Sequence, residues 1–126
     1  MVLRIRDLTA SLHFYCDVLG CTLEREQRDL GLTQLRAGRS LIDLVSADGP
    51  LGARTAPAGG GGPNLEHFCL SLVPFDERAL TAHLAAHGVA AGEAAARYGA
   101  EGEGRSLYIE DPEGNRVELK GGRSRS

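Results

Sequence analysis

The sequence contains few aromatic and sulphur-bearing residues. Tryptophan is absent, methionine occurs once, and aromatic residues make up 5% of the 126 positions. The three cysteines, Cys16, Cys21 and Cys69, are odd in number and have no CxxC spacing, which argues against a disulfide framework or a structural zinc site. We therefore expect reduced thiols in a reducing compartment, with a redox pair of Cys16 and Cys21 as the alternative.

Long apolar runs and an excess of basic residues are also missing. No uninterrupted apolar run approaches the ~20 residues that a membrane helix needs, and the first residues do not form a charged-then-apolar signal segment. These two absences favour a cytoplasmic protein. The net charge of -3, from 14 basic and 17 acidic residues, creates no basic surface, so the sequence argues against nucleic acid as a partner.

A strand–turn–strand pattern is present near the carboxyl terminus, at residues 110–119. An Asp-Pro pair opens the turn, because proline fixes its own φ and restricts the residue before it. Gly114 and Asn115 can adopt the positive φ that the centre of a tight hairpin requires. Polar and apolar residues then alternate, which places Glu118 on the face opposite the apolar side chains.

A weaker copy of this pattern occurs in the first half of the chain. Residues 38–44 also pass from a glycine turn into a strand, and Asp43 takes the place of Glu118. Each half has the order strand, helix and three strands, which predicts an α+β fold of paired βαβββ modules with mixed sheets. Because each helix covers one face of its sheet, we expect the two remaining faces to form a cup-shaped cavity.

The periodicity of the sequence sets the expected elements. Helices are predicted at Leu8–Leu19 and Glu77–His87, capped by Asp7 and Asp76. The predicted strands are Met1–Arg6, Thr22–Gln27, Leu32–Leu35, Leu41–Val45, Glu66–Val73, Val89–Ala95, Ser106–Glu110 and Asn115–Lys120. We expect one domain over residues 1–126, with modules at about 1–47 and 64–121, a linker at 48–63 and a frayed tail at 122–126.

One glycine-rich stretch, Tyr98–Gly104, leads into the penultimate strand. It has three glycines in seven residues and little to bury, so we expect a mobile loop. Its position at the mouth of the cavity would suit a lid, and a plain surface loop is the alternative.

Strand alternation brings three candidate metal ligands to the predicted cavity: Asp43, His67 and Glu118. One imidazole and two carboxylates suit a divalent Zn, Ni, Co, Mn or Fe ion. The alternative is that each is an ordinary polar residue of a cavity wall. The other histidines lie on predicted helices and are expected at the surface: His13, His83 and His87.

Three motifs together resemble a known family. Residues 3–8, 11–15 and 18–20 are similar to its opening helix signature, Glu66-His67-Phe68 resembles the start of its second module, and residues 111–115 with Glu118 resemble its closing hairpin. The family is the vicinal oxygen chelate superfamily, which includes glyoxalase I, bleomycin-resistance proteins, methylmalonyl-CoA epimerase, fosfomycin-resistance transferases and extradiol dioxygenases. The resemblance covers nearly the whole chain and implies paired modules that form a metal-holding cup.

The family's metal ligands carry over at three positions of this sequence. His67 matches the first-strand histidine of the second module, Glu118 matches the last-strand glutamate, and Asp43 stands where the first module usually has glutamate. The family's remaining histidine would fall at or ahead of Met1. Either the natural chain begins further upstream, or the protein is a three-ligand or metal-free member.

The resemblance also implies a function. It suggests a glyoxalase-like, divalent-metal-dependent enzyme of lyase, isomerase or dioxygenase type that acts on a small oxygen-chelating substrate. Glu118 is then the candidate catalytic base, and the candidates for substrate contact are Gln34, Tyr108 and Arg116. The alternative is a metal-free protein that sequesters a small molecule or drug, as bleomycin-resistance proteins do. Open sheets leave edge strands and such proteins commonly dimerise, so a homodimer is expected.

Overall fold

The computed structural model describes residues 1–51 and 65–122. The chain divides into two compact units, Met1–Gly62 and Pro63–Ser126. Each unit has a four-stranded mixed sheet and the element order βαβββ, which confirms the predicted α+β fold of paired modules. Most of the predicted linker at 48–63 and of the predicted tail at 122–126 lies outside the described residues.

The described strands of the first unit follow one another around a helical segment near the start of the chain. The elements of this unit are β1 (Val2–Ile5), α1 (Leu8–Leu12), a π-helical turn (His13–Val18), β2 (Thr22–Gln27), a 3-10 turn (Arg28–Leu30), β3 (Leu32–Ala37) and β4 (Ser40–Ser46). The strand order in the sheet is β1-β4-β3-β2, with β1 parallel to β4 and the other pairs antiparallel. The helical segment therefore carries the chain from β1 at one edge of the sheet to β2 at the other edge.

Local chemistry explains where this helical segment begins and ends. The side chain of Asp7 accepts a hydrogen bond from the Ala10 amide at 3.0 Å, as expected for an N-cap. The helix then widens, and the Leu19 amide donates to the Phe14 carbonyl five residues back. Gly20 ends the segment with a φ of +85°, a conformation that glycine adopts without strain.

The second unit repeats the arrangement. Its elements are β5 (Phe68–Ser71), α2 (Glu77–Ala86), β6 (Ala95–Gly99), β7 (Gly102–Glu110) and β8 (Arg116–Lys120). The strand order is β5-β8-β7-β6, with β5 parallel to β8. The Asp76 carboxylate caps α2 through the Ala79 amide, and Leu84 of α2 is fully buried.

The predictions for residues 89–104 are wrong in two respects. The strand expected at Val89–Ala95 occupies Ala95–Gly99 instead, and Tyr98–Gly104 is a β-hairpin rather than a loop. The glycines permit a close approach: a Cβ on Gly99 would lie 3.1 Å from Lys120 Cε, and a Cβ on Gly104 would lie 2.5 Å from the Gly122 carbonyl oxygen. These glycines therefore mark tight packing of neighbouring chain segments.

Within the described residues, no helix combines the length and the apolar character needed to span a membrane.

Candidate functional site

Strand register places the candidate residues at equivalent positions in the two units. Asp43 pairs with Val2 of the parallel neighbour and Gln34 of the antiparallel one. Glu118 pairs in the same way with Cys69 and Tyr108. Asp43 is thus the counterpart of Glu118, and Gln34 is the counterpart of Tyr108. By the same count, the counterpart of His67 would stand immediately before Met1.

In the second unit, the structure brings His67 and Glu118 together. The His67 Nε2 atom lies 3.3 Å from Glu118 Oε1. The Glu118 residue is only 7% exposed although it carries a carboxylate in mid-strand. The Nδ1 atom of His67 is buried and has no hydrogen-bond partner among the described residues, since Glu66 Oε1 is 3.5 Å away and too distant for a good bond. One atom of the pair, His67 Nδ1, is thus left without a hydrogen bond.

The Tyr108 ring lies beside this pair. The His67 ring meets it edge-on, with centroids 5.1 Å apart and planes at 89°. Two guanidinium groups also approach the ring: Cζ of Arg116 is 3.9 Å from its centroid and Cζ of Arg97 is 4.8 Å away. Both distances fall within the range of cation–π attraction. Tyr108 is therefore the centre of a cluster of cationic and aromatic groups.

The two arginines around Tyr108 have different partners. Arg116 Nη1 makes a short hydrogen bond to Glu66 Oε1, and this bond, followed by the charge of the guanidinium, lowers the pKa of Glu66. Arg97 Nη1 donates to the carbonyl oxygen and the hydroxyl of Ser106, at 2.6 and 3.1 Å. No carboxylate among the described residues pairs with Arg97. Sequence analysis missed both Glu66 and Arg97 as members of this cluster.

A buried carboxylate holds the hairpin that precedes β8. Asp111 is 5% exposed and accepts from the backbone amides of Glu113 and Asn115 at 3.0 and 2.7 Å, and from the Asn115 side chain at 2.8 Å. Gly114 has the expected positive φ of +89°, but Asn115 does not, so that part of the prediction is wrong. Asn115 contributes its side-chain amide to the turn instead. The hairpin fixes the start of the strand that carries Arg116.

In the first unit, the structure brings Asp43 and Gln34 together. The Gln34 Nε2 atom donates to Asp43 Oδ1 at 3.1 Å. The Asp43 backbone amide donates to the Met1 carbonyl at 2.8 Å, and the terminal ammonium of Met1 donates to the Leu41 carbonyl at 3.1 Å. Asp43 therefore lies next to the first residue of the chain. Its carboxylate contacts the neutral amide of Gln34, whereas the carboxylate of Glu118 contacts an imidazole.

A pocket of about 480 Å³ in the second unit adjoins the cluster. Its lining includes Leu65, Glu66, Tyr108, Glu110, Asn115 and Arg116. This volume is within the range of small-molecule sites. Within residues 1–51 and 65–122, no three His, Cys, Asp or Glu side chains form a group that could hold a metal ion. His67 and Glu118 are thus adjacent within the second unit, and Asp43 belongs to the first unit.

The remaining histidines and two of the cysteines belong to other elements, whereas Cys69 is the β5 neighbour of Glu118. His13 and Asp17 form an exposed ion pair in the π-helical turn at 3.0 Å, and the rings of His83 and His87 approach to 4.6 Å on α2. All three cysteines are free, so Cys16 and Cys21 do not form a disulfide in this structure. Burial raises the pKa of each thiol, which lowers its reactivity.

Comparisons with known proteins identify the family. Residues 1–119 match the family model of the Glyoxalase/Bleomycin resistance protein/Dioxygenase superfamily. A catechol-2,3-dioxygenase of Bacillus subtilis is 32% identical over 98% of this chain. The chain spans 41% of the length of that relative.

Solved structures agree on the fold. A virulence protein of Salmonella typhimurium superposes with a TM-score of 0.78 at 24% identity, over 97% of this chain and 93% of the other. A lactoylglutathione lyase from Agrobacterium tumefaciens gives a TM-score of 0.67 at 25% identity, over 97% and 90%. A fosfomycin resistance protein from Listeria monocytogenes gives 0.69 at 18% identity, over 98% and 90%. With the family model matching almost the entire sequence, the chain belongs to the Glyoxalase/Bleomycin resistance protein/Dioxygenase superfamily.

Proposed function

We propose that the protein is a divalent-metal-dependent enzyme acting on a small oxygen-chelating substrate by lyase, isomerase or dioxygenase chemistry. The observation that carries this proposal is the pair formed by His67 and Glu118, with Nε2 and Oε1 3.3 Å apart. The relatives named above include a dioxygenase and a lyase, which is consistent with these reaction types.

The chemistry of this pair fits a divalent ion. Nitrogen and oxygen ligands lie about 2.0–2.2 Å from such a metal, so two neighbouring donors are separated by roughly 3.0–3.6 Å. The observed separation falls in this range. A nearly buried carboxylate beside an imidazole is otherwise costly unless it is paired. His67 and Glu118 would hold the ion, and Asp43, the counterpart of Glu118 in the first unit, is the proposed third protein ligand.

Each residue of the cluster has a distinct proposed part in the reaction. A divalent ion held here would supply Lewis-acid polarisation of the substrate oxygens. Glu118 is the proposed base, because a carboxylate of this kind can accept a proton from a bound substrate. Tyr108 and Arg116 line the pocket and are the proposed substrate contacts of the second unit, whereas His67 and Glu118 lie outside its lining. Gln34, held by Asp43, is the proposed substrate contact of the first unit.

Metal titration combined with a substrate panel tests this proposal. Metal-free protein is titrated with Ni, Co, Mn, Zn and Fe(II) by calorimetry, and each loaded form is assayed with catechol, lactoylglutathione and fosfomycin. We expect binding that His67→Ala abolishes and His13→Ala leaves unchanged, since His13 is on a helix and pairs with Asp17. Equal metal affinity in wild type and His67→Ala would refute the proposed site.

The second candidate function is metal-free binding and sequestration of a small molecule. It is favoured by the absence of a three-donor group among the described residues and by the pocket beside Tyr108. The two candidates separate in one experiment, ligand binding in EDTA. A ligand that binds with the same affinity with and without metal, and is released unchanged, supports sequestration.

We also propose that the protein assembles as a homodimer. Strands β1 and β2 are the edges of the first sheet and β5 and β6 are the edges of the second. The edges carry exposed apolar residues, with Val2 64% and Leu23 54% exposed. Exposed edges of this kind are usually paired or covered. Light scattering at micromolar concentration should give a dimer mass, and a monomer mass would contradict the proposal.

A further inference from the structure

The side chain of Glu66 occupies the anion-binding end of Arg116. One carboxylate oxygen, Oε1, bonds to Arg116 Nη1 and lies 3.5 Å from the buried Nδ1 of His67. Yet the side chain of Glu66 is 70% exposed, and that of Arg116 is 50% exposed. An exposed ion pair of this kind is only weakly stabilising, so an external anion can replace the glutamate at modest cost.

Two guanidinium groups approach the Tyr108 ring, which also has the carboxylates of Glu66 and Glu118 nearby. Arg116 lies against the ring at 3.9 Å and Arg97 at 4.8 Å, and Arg97 has no carboxylate partner among the described residues. Glu66 therefore balances one of two guanidiniums. The strands fix this arrangement, because Arg97, Tyr108 and Arg116 project from β6, β7 and β8 of one sheet.

We infer that Arg116 is the binding point for an oxyanion group of the substrate, and that Glu66 fills this position until the substrate displaces it. A planar guanidinium matches the two oxygens of a carboxylate or phosphonate. The pocket of about 480 Å³ contains both Glu66 and Arg116 in its lining, so the anion would enter where Glu66 now lies. The inference rests on the proposed function for the identity of the reaction, but assigns the substrate class: a small organic oxyanion.

Charge-matched probes test the inference on the full chain. Metal-free protein in EDTA is titrated by calorimetry with benzoate, phenylphosphonate and the neutral benzamide. Glu66→Gln should strengthen binding of both anions about two- to fivefold, the size expected for releasing an exposed ion pair. Benzamide binding should not change. Arg116→Gln should weaken the anions about tenfold or more, because a charge-assisted bond is lost, and Arg116→Lys should give a smaller loss.

A matched control separates the cluster from a general charge effect. Glu77 pairs with Arg105 at 2.9 Å. Glu77→Gln therefore frees an arginine elsewhere in the chain and changes the net charge by the same amount as Glu66→Gln. It should leave the affinity for every probe unchanged. An equal gain from Glu66→Gln and Glu77→Gln would overturn the inference. The inference would also be overturned if the Glu66→Gln variant, shown by circular dichroism to be folded, bound the anions no more tightly than wild type or not at all.

The probes also distinguish the two sources of the oxyanion. Tighter binding of benzoate assigns a carboxylate substrate, and tighter binding of phenylphosphonate assigns a phosphonate or phosphate. Anion binding that responds to Glu66 in a protein that binds no metal supports this inference and ends the metal-dependent proposal. Metal binding without any effect of Glu66→Gln on anion affinity supports the metal-dependent proposal and overturns this inference.

Discussion

The two units share a backbone plan but differ in the side chains that the plan presents. Asp43 and Glu118 hold the same register position, and so do Gln34 and Tyr108. In the first unit the carboxylate contacts a neutral amide, whereas in the second it contacts an imidazole beside an aromatic ring. The repeat thus preserves a carboxylate in each unit while the charged and aromatic cluster occurs in the second.

This difference shows that fold and chemistry are set at different positions. Apolar residues at alternate strand positions are buried in both units, and Leu44 and Leu119 are examples at equivalent positions. Residues of the opposite face are free to differ because they do not pack under the helix. A substrate site can therefore be concentrated in one unit without any change of architecture.

The largest effect should come from the equivalent core leucines. Leu44 is 1% exposed and Leu119 is fully buried, at register positions one residue after Asp43 and Glu118. Substitution of either by alanine should lower the free energy of unfolding by about 2–5 kcal/mol, since a cavity remains. Urea unfolding measures the loss. A much smaller loss for one of the two would break the equivalence of the cores.

Next in size is the effect on metal affinity, which should separate the two carboxylates. Glu118→Ala should abolish binding, because it removes half of the pair with His67. Asp43→Asn should weaken binding by about tenfold or more, because it replaces a charged oxygen of the proposed third ligand by a neutral amide. Calorimetric titration with Ni or Zn gives both values. Equal losses in the two variants would show that the units contribute equally.

A smaller effect should distinguish the two hairpins. Asn115→Ala removes the side-chain bond to the buried Asp111 and should destabilise the protein by about 1 kcal/mol. In the turn between β3 and β4, Arg39→Ala leaves the backbone carbonyl that Arg36 contacts in place and should cost little. Thermal unfolding compares the two variants. A larger loss of stability from Arg39→Ala than from Asn115→Ala would contradict this prediction.

The smallest effect concerns one exposed ion pair in each unit, Glu24 with Arg36 and Glu77 with Arg105. The hydrogen bond from Arg36, with its charge, lowers the pKa of Glu24 below the ordinary 4.5. A carboxylate with a lowered pKa stabilises the fold above its unfolded pKa, and this contribution is lost as the pH falls through the folded pKa. Glu24→Gln should therefore lower the unfolding temperature by about 1–2 °C at pH 7 and by less near pH 3.

Glu77→Gln is the matched variant of the second unit and should give a similarly small change at pH 7. Its thermal unfolding is recorded at the same two pH values as that of Glu24→Gln. A gap between wild type and Glu24→Gln that widens on acidification would contradict the assigned direction of the pKa shift.

Much of the fold could be predicted because local signals and tertiary packing agree. Asp7 and Asp76 are N-caps as expected, and both helical segments begin where these caps predict. The position of β6 was wrong because glycine and alanine carry no alternating pattern in residues 89–104. Their role depends on Lys120 and Gly122, which are distant in sequence and cannot be inferred from local periodicity.

The candidate site could be predicted only in part, for a similar reason. Alternation along each strand indicated which face Glu118 and Tyr108 occupy, and register confirms that they are neighbours. Glu66 was missed because it is 50 positions from Arg116 in the sequence. Arg97 was missed with the strand that carries it. Contacts across strands are set by register, which the sequence of a single strand does not specify.

Two glycines beside the end of β8, Gly104 of β7 and Gly121, affect how tolerance to mutation should be interpreted. A Cβ on Gly104 would lie 2.5 Å from the Gly122 carbonyl oxygen, and a Cβ on Gly121 would lie 2.6 Å from Phe75 Cβ. The chain after β8 therefore packs closely against β7 through Gly104 and against Phe75 through Gly121. In a saturation screen, positions 104 and 121 would be as intolerant as a catalytic residue, whereas Glu66 would accept many replacements. Intolerance to substitution in this protein can therefore reflect close packing against a glycine as readily as it reflects a chemical role.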